Sequence, residues 1–497
     1  MQRKNLTLVI VSLLVVVLSV SLAYFTAQII GEGKTVDVSS ANLQIVFTDG
    51  DGALTETDIE PGWSATKTFT IKNDTKTEYK YNIVIKDLLN TFVTEGYLQY
   101  KITSTNDGYN MTEFKDIPKS SVATDTILAY SVVIPNGVTQ SYTIEFKYTN
   151  DESVDQSDDM GKKLSGTLFI TEGTEDPNKT LLTQLLVDKS TKLTRTDFSK
   201  VLTTDNTNTL YTSTEDSKTV YYFAGNATDN WVKFGKNASS QDLYWRIIRT
   251  NSDGGVRLLY HGTSTTATDA YIETSAFNSS YNNIAYVSYM YGSTGSIPNA
   301  RTNQTNSSTI KGVIDTWYAK NMTSYTKYLS TTAVYCNDRT YTVSDSTYFG
   351  AYTRLADNKT PSYDCSATED KFTVDTSTGN GKLTYPIALM TADEVSFAGG
   401  LAGTNAPTWY NYNSANGSST GSTQWWLLSP SYWSSSYACV FSVYGSSHPG
   451  FLVVDFVYDT HGVRPAVSLK SCIKYSTGNG SASDPYTIKE TTSTSGC

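Results

Sequence analysis

Short alternations of apolar and polar residues fill the first third of the chain. They are separated by turn-forming sequences such as DGDG at 49–52 and PNG at 135–137. A period of two sends successive side chains to opposite faces of a strand, so each alternation predicts a half-buried β-strand. The predicted strands are 41–47, 68–71, 79–85, 98–103, 126–134, 141–148 and 164–170. Half-buried strands predict two packed antiparallel sheets, a β-sandwich over residues 33–172.

Residues 173–195 are predicted to be a polar linker and one short helix, because TEGTEDP at 171–177 precedes an apolar run at 180–187. Beyond them the pattern mixes strands and helices. Predicted strands are 219–223, 231–234, 244–250, 256–260 and 386–390. The sequence NSDGG at 251–255 predicts a hairpin turn, since glycine adopts positive φ without a steric penalty.

Two further helices are predicted. From Ile310 to Tyr318 the apolar residues follow the i, i+3, i+4, i+7, i+8 spacing of one helix face. Thr391 and Glu394 form a capping-box pattern, and GG at 399–400 marks the end of that helix. Strands mixed with helices over 196–475 predict an α+β domain, and 476–497 is predicted to be a C-terminal tail. The chain is therefore predicted to be multidomain and mainly β.

The segment 431–461 has an unusual composition. It contains no Lys, Arg, Glu, Gln, Met, Ile or Asn, and it is rich in Ser, Tyr, Val, Phe and Gly. It is flanked by WWLLSP at 425–430 and GVRPA at 462–466. Surfaces rich in Tyr and Ser are typical of paratopes, because Tyr gives rigid amphipathic contact area and Ser gives adaptable hydrogen bonds. The segment is a candidate binding face; the other interpretation is a Ser- and Tyr-rich surface hairpin without a ligand.

The capped helix, the Gly-rich loop after it and the two flanking motifs resemble the C-type-lectin-like fold shared with formylglycine-generating enzymes. The biased segment resembles the variable region of the target proteins of diversity-generating retroelements. In that family, template adenines, mostly in Asn codons, are randomised, so Lys, Glu, Gln, Met and Trp are not reached. Only Trp433 departs from this exclusion here. The resemblance implies a randomised ligand-binding face on a fixed scaffold.

We expect the ligand-binding side chains to gather on one exposed face of strands, because neighbours along a strand point to opposite faces. These residues are Ser431, Tyr432, Ser434, Ser435, Ser436, Tyr437, Ser442, Tyr444, Phe451, Val453, Asp455, Phe456, Tyr458, Asp459 and His461. The core beneath them is expected to contain Ala438, Val440, Val443, Leu452 and Val457. The fixed scaffold is expected to include Trp425, Trp426, Arg464 and Pro465.

The first 27 residues predict export. The basic start MQRK at 1–4 precedes an apolar run at 6–25, which fits either a signal peptide or an uncleaved membrane anchor with the rest of the chain outside the cell. AYFTA at 23–27 and IEPG at 59–62 resemble the camelysin and TasA group of exported Gram-positive matrix proteins. That resemblance implies a jelly-roll-like sandwich that can polymerise into fibres. A structural matrix protein without a dedicated ligand is therefore the alternative to a surface binder.

Five cysteines in an exported chain predict disulfides. Cys336 with Cys365 is the first predicted pair, and Cys472 with Cys497 is the second. Cys439 is left over. It is either an unpaired residue of the variable face or a small buried apolar residue.

Charge and composition narrow the function further. A net charge of -10 with only 17% charged residues provides no basic footprint for phosphate, so no nucleic-acid partner is expected. Of the three histidines, His448 and His461 lie in the variable segment, which leaves only His261 for a fixed Ser-His-Asp triad. The Cys and His spacings match no zinc motif. We therefore expect that the protein is not an enzyme and that it uses no cofactor or metal. Its ligand is expected to be an extracellular protein or glycan, whose identity the sequence leaves open. If the N-terminal anchor is not cleaved, the protein also contacts the membrane.

Overall fold

The computed structural model describes residues 35–40, 43–49, 60–111, 113–268, 270–343, 347–412, 424–445 and 448–494. The chain divides into two compact units, unit 1 up to Pro177 and unit 2 from Asn178. The fold is multidomain and mainly β, as the sequence predicts. The predicted export segment 1–27 lies outside the described residues. No helix within the described ranges is both long enough and apolar enough to cross a membrane.

Unit 1 is built from strands alone apart from a single 3₁₀ turn at Ser157–Asp159 in its described part. The strands are β1 Thr35–Ser40, β2 Leu43–Asp49, β3 Ser64–Asn73, β4 Tyr79–Asn90, β5 Leu98–Ser104, β6 Lys115–Asp116, β7 Ser120–Ile134, β8 Thr139–Tyr148 and β9 Leu164–Glu172. One sheet has the order β1-β2-β3-β8-β5-β6 and the other has the order β7-β4-β9. All pairings in both sheets are antiparallel.

The alternation that predicts these strands also fills the core of unit 1. Along β8, Tyr142, Ile144 and Phe146 are buried while the residues between them are partly or fully exposed. Antiparallel register places Phe69 of β3 opposite Tyr142, and their rings stack with centroids 4.8 Å apart. Because this core also includes Ile83 of β4, both sheets of unit 1 pack on one hydrophobic core.

Unit 2 combines many short strands with a few helices. Its strands are β10 Thr191–Thr194, β11 Thr209–Glu215, β12 Lys218–Tyr222, β13 Trp231–Lys236, β14 Asp242–Thr250, β15 Val256–Gly262, β16 Thr274–Ala276, β17 Met290–Tyr291, β18 Asn306–Ser307, β19 Tyr335–Cys336, β20 Tyr341–Val343, β21 Thr347–Phe349, β22 Lys371–Phe372, β23 Ile387–Leu389, β24 Leu401–Ala402, β25 Trp425–Trp433, β26 Ala438–Val443, β27 Phe451–Phe456, β28 Thr460–Gly462, β29 Pro465–Leu469, β30 Tyr475–Thr477 and β31 Tyr486–Ile488. Its α-helices are α1 Leu181–Asp188, α2 Ile297–Arg301, α3 Thr309–Asn321, α4 Gly350–Tyr352 and α5 Ala392–Ala398. Shorter turns are 3₁₀ at Ile284–Val287, Thr323–Tyr328 and Thr368–Asp370, and π at Thr353–Asn358.

The predicted helices of unit 2 are confirmed. In α3, Ile310, Ile314 and Tyr318 form the buried stripe. Thr391 and Glu394 make the reciprocal capping box at the start of α5, and the helix ends at Gly399, whose φ of 118° favours a residue without a Cβ. These caps fix where α5 begins and ends.

Two segments that the sequence places outside the α+β domain pair with its strands. The short helix predicted after the polar linker is present as α1, and both α1 and β10 belong to unit 2, where β10 pairs in parallel with β11. Residues 476–488, predicted to be a tail, contain β31, which pairs with β13 of the larger sheet. Short polar segments carry little hydrophobic pattern, so pairing to an existing sheet edge is invisible in their sequence.

Candidate binding surface

The segment 431–461 occupies the middle of an eight-stranded sheet. Six strands follow the order β16-β28-β25-β26-β27-β24, and the other two, β21 and β20, extend from β25, with β21 paired to β25 and β20 to β21. Strands β26 and β27 are antiparallel, with Cys439 opposite Phe456 and Val440 opposite Asp455. Directly opposed residues point to the same side of a sheet, and neighbours along a strand point to opposite sides. Cys439 and Phe456 therefore lie on one face of the sheet, and Val440 and Asp455 lie on the other.

This register corrects the expectation of a single binding face. Asp455 and Phe456 are sequence neighbours within β27, so a regular strand cannot direct both to the same side. Val453 lies opposite Ser442 and shares the face of Asp455. The predicted ligand-binding residues are consequently divided between the two faces of the hairpin formed by β26 and β27.

Most of the predicted ligand-binding residues are accessible. Ser435, Ser436, Tyr437 and Tyr458 are exposed. Half-buried positions are Tyr432, Ser434, Tyr444, Phe451, Val453, Asp455, Phe456, Asp459 and His461. Ser431 and Ser442 are fully buried, so the expectation of exposure is wrong for both. Ser442 lies in the central strand β26, and its hydroxyl group donates a hydrogen bond to the Asp455 carboxylate. Ser431 lies in β25, at the point where the register between β25 and β26 shifts.

The predicted core residues are all buried. Their exposed fractions are at most 2% for Ala438, Val440, Val443, Leu452 and Val457. They belong to the large hydrophobic core of unit 2, which gathers residues from both of its larger sheets. The hairpin that carries the candidate binding residues is therefore anchored by its own apolar side chains.

The residues of the flanking motifs that are predicted to form the scaffold lie in the interior of unit 2. Trp425, Trp426, Arg464 and Pro465 are all buried. The indole Nε1 of Trp426 donates a hydrogen bond of 2.8 Å to a backbone carbonyl. The Arg464 guanidinium lies 4.6 Å from the centre of the Trp425 ring and donates 3.1 Å to the carbonyl of Tyr260. Burial lowers the pKa of Arg464 to about 10.

Four aromatic residues form a cluster that we call the aromatic patch: Tyr281, Tyr437, Phe456 and Tyr458. Tyr281 stacks on Tyr437 at 5.5 Å between centroids, and Phe456 stacks on Tyr458 at 5.5 Å. Tyr281 also meets Tyr458 edge-on at 4.8 Å. The three tyrosines are 39–41% exposed. Adjacent rings with open faces create a rigid apolar surface whose hydroxyl groups remain available for hydrogen bonds.

Tyr281 was not predicted from the sequence. It lies in the stretch SSYNN at 279–283, far from the segment 431–461 along the chain. The carbonyl of Tyr281 accepts a hydrogen bond of 2.9 Å from the Ala438 amide, which fixes it beside β26. The Ser, Tyr and Asn composition of 279–283 resembles that of a paratope, and this signal was available in the sequence.

Two smaller aromatic groups flank the patch residues along the segment. Tyr432 lies 6.1 Å from Tyr348 between ring centroids, on the part of β25 that pairs with β21. Burial and the neighbouring Cys439 thiol raise the pKa of Tyr432 to about 12. Tyr444 contacts His448 at 5.2 Å between ring centroids, near the connection between β26 and β27. Aromatic surface thus extends along much of the segment.

The other face of the hairpin carries a polar group, the Asp–His cluster, formed by Asp455, Asp459 and His461. The ligand-type atoms of these three side chains all lie within 4.8 Å of one another. The Asp455 carboxylate also accepts hydrogen bonds from the Ser442 hydroxyl and the Gln424 amide. Burial raises the pKa of Asp455, and burial lowers the pKa of His461.

The disulfide prediction is confirmed for the first pair. Cys336 and Cys365 are bonded, with Cα atoms 5.7 Å apart. The second predicted pair includes Cys497, which lies outside the described residues. Cys439 is a buried free thiol, and burial raises its pKa to about 12. The interpretation of Cys439 as a small buried residue fits this position.

A buried ion network supports the scaffold and was not predicted. The Glu394 carboxylate accepts hydrogen bonds of 2.8 Å from Arg249 Nε and 2.7 Å from Arg257 Nη1. Despite burial, these two guanidinium groups lower the pKa of Glu394 to about 2. Helix α5 is tied to β25, because the amide of Ala392 donates 2.9 Å to the Ser429 hydroxyl. The network therefore positions the helix on which the central strand rests.

No family model and no curated protein matches this chain. One solved structure that is similar in part is described as "AvmM Catalyzes Macrocyclization in Alchivemycin A Biosynthesis". The similarity covers 28% of this chain and 92% of that chain, with 10% sequence identity and a TM-score of 0.16. A similarity at this level carries no argument about fold or function.

Proposed function

We propose that this chain is an exported surface protein that binds a protein or glycan ligand through the aromatic patch. The observation that carries the proposal is the group of three exposed tyrosines, Tyr281, Tyr437 and Tyr458, gathered around Phe456. Exposed aromatic groups of this kind are costly to leave in water unless a partner covers them. Tyr side chains are frequent interaction hot spots, where truncation costs about 2 kcal/mol or more.

The scaffold is suited to diversification of its surface. Core side chains such as Val440 and Val457 anchor the hairpin from within. Among the described residues, the rings of Tyr437 and Tyr458 contact only the rings of other members of the patch. Replacing patch residues therefore leaves the core intact. We propose that the segment 431–461 is the variable region of a diversity-generating retroelement target, carried on a C-type-lectin-like domain.

Unit 1 is proposed to be a jelly-roll-like stalk of the camelysin and TasA type, which holds unit 2 at the cell surface. The buried core shared by its two sheets supports an independent folding unit. In the alternative function, unit 1 polymerises into a matrix fibre and unit 2 only decorates it. The two functions differ in whether unit 2 has a specific ligand.

Binding of the purified full-length chain to glycan and protein arrays tests the proposal. The double variant Tyr437→Ser and Tyr458→Ser is expected to lose specific signals. Tyr341→Ser is the matched control, because Tyr341 has the same 39% exposure and lies outside the patch. The absence of any specific signal for the unaltered chain would favour the matrix function, whereas specific signals that survive in the double variant would show that binding does not depend on the aromatic patch.

The proposed diversification has its own test in the neighbouring DNA. A reverse-transcriptase gene beside a near-copy of the segment that encodes 431–461, differing at adenines, is expected. A genome that lacks the reverse-transcriptase gene and the near-copy contradicts the retroelement origin. It does not affect the test of ligand binding by the arrays.

A further inference from the structure

We propose that the Asp–His cluster is a binding site for a zinc-type divalent cation. Asp455, Asp459 and His461 bring two carboxylates and one imidazole together on the face of the hairpin opposite the aromatic patch. This inference goes beyond the proposed function, because a cation site can exist whether or not the patch binds a ligand.

The distances in the cluster suit a small cation. Zinc bonds to oxygen and nitrogen of about 2.0–2.2 Å in a tetrahedral arrangement place ligand atoms roughly 3.4 Å apart. His461 Nε2 lies 3.6 Å from Asp455 Oδ2, and the three ligand atoms all lie within 4.8 Å of one another. Asp459 is half-buried in the turn after β27.

The imidazole has a buried nitrogen that needs a partner. Within the described part of the chain, His461 Nε2 is inaccessible to solvent and makes no hydrogen bond. Its separation of 3.6 Å from the Asp455 carboxylate is too long for a hydrogen bond. Buried polar atoms without partners are uncommon in folded proteins and call for an explanation. A cation between the imidazole and the carboxylates provides one.

Neighbouring residues hold the proposed ligands in place. The Ser442 hydroxyl and the Gln424 amide both donate hydrogen bonds to Asp455 Oδ2. The His461 ring packs on Trp426 with centroids 4.5 Å apart. Partners of this kind orient metal ligands, and their loss commonly weakens metal binding by about 10–100-fold. The same contacts explain why a serine of the variable segment, Ser442, is buried.

The ligand set favours zinc over calcium. Calcium takes six to eight oxygen ligands, whereas an imidazole with carboxylates suits zinc and related transition metals. Two carboxylates beside an imidazole supply negative charge that a divalent cation neutralises. Three protein ligands leave the fourth tetrahedral position for water or for a donor atom from a bound partner. All three side chains are partly exposed.

Isothermal titration of Zn²⁺ into the chelator-treated full-length chain tests the site. We expect one equivalent to bind, and His461→Ala to weaken this binding at least tenfold. His448→Ala is the matched control, since His448 is an exposed histidine of the same segment, and it should bind as the unaltered chain does. Asp459→Asn, in a partly exposed turn, provides a second variant if His461→Ala disturbs folding, and it too should weaken binding at least tenfold.

Failure of this inference is distinguishable from failure of the proposed function, because the titration contains no partner ligand. The site would be overturned if the unaltered chain bound no Zn²⁺. It would also be overturned if His461→Ala or Asp459→Asn melted like the unaltered chain and still bound Zn²⁺ with the same affinity. Tighter binding of Ca²⁺ than of Zn²⁺ would overturn the zinc assignment. Loss of binding in His448→Ala to the same degree as in His461→Ala would place the cation elsewhere.

Discussion

Replacing Glu394 by Gln removes one buried negative charge while it keeps the size of the side chain. Gln also satisfies a capping box at this position, so the start of α5 is retained. The substitution leaves Arg257 without its carboxylate partner and leaves Arg249 with Glu215 alone. Because removal of one partner strands a buried charge, we expect a loss of about 3–5 kcal/mol in the free energy of unfolding.

The pKa of Glu394 gives a separate measure of the same interaction. The folded-state value of about 2 lies below the ordinary value of 4.5 for this carboxyl group. Because a shift of one pKa unit corresponds to 1.36 kcal/mol, this difference in pKa corresponds to about 3 kcal/mol of stability. A depressed carboxyl pKa stabilises the fold above the unfolded-state value, so this contribution is present above pH 4.5 and is lost as the pH falls towards 2.

Urea unfolding followed by tryptophan fluorescence measures both effects. Trp63 is the sole tryptophan of unit 1, so the signal reports mainly on unit 2. At pH 7 Glu394→Gln should be less stable than the unaltered chain, and the difference should shrink between pH 4.5 and 2. Glu273→Gln is the matched control, because Glu273 is exposed in the same unit. Equal stabilities of the Glu394→Gln variant and the unaltered chain at pH 7, or a pH-independent difference, would refute the reasoning.

Three further predictions concern the scaffold and the cysteines. Trp426→Ala should lower the free energy of unfolding by about 3–5 kcal/mol because the side chain is fully buried. Tyr437→Ala should change it by no more than about 0.5 kcal/mol because the side chain is exposed. Chemical denaturation measures both, and similar losses would contradict the division between a buried scaffold and an exposed patch. Replacing Cys336 and Cys365 together by Ser should cost about 3.6 kcal/mol, since the disulfide closes a loop with a sequence separation of 29. An unchanged melting temperature in non-reducing buffer would count against this. Cys439 should resist iodoacetamide at pH 8 until the chain unfolds, because it is buried and its pKa is about 12; mass spectrometry showing rapid labelling of the folded chain would contradict its placement.

Much of the fold was predictable because strand and helix patterns are local. The alternation along 141–148 and the capping box at Thr391 appear in the structure where the sequence places them. The disulfide between Cys336 and Cys365 was expected from the predicted export of the chain and from the loop-rich insert around the two cysteines. For the strand and the helix cap, a few neighbouring residues carry the whole signal.

What the sequence did not predict depends on contacts between distant segments. Glu394 appears in the sequence as a helix cap, and only the fold brings Arg249 and Arg257 to its carboxylate. Tyr281 joins the aromatic patch through the tertiary structure, far from Tyr437 in the sequence. The division of the predicted binding residues between two faces depends on strand register, and a shift of one residue reverses every side chain.

The most direct test of the central claim is a paired measurement of folding and binding on one library. Tyr281, Tyr437, Phe456 and Tyr458 would be randomised together, and each purified variant would be melted and then applied to the arrays. We predict that most variants melt close to the unaltered chain while their ligand preferences differ from one variant to another, because the frame is anchored by buried residues outside the patch. If most variants unfold or aggregate, or if all folded variants show the same binding, the segment is structural and the proposed function is wrong.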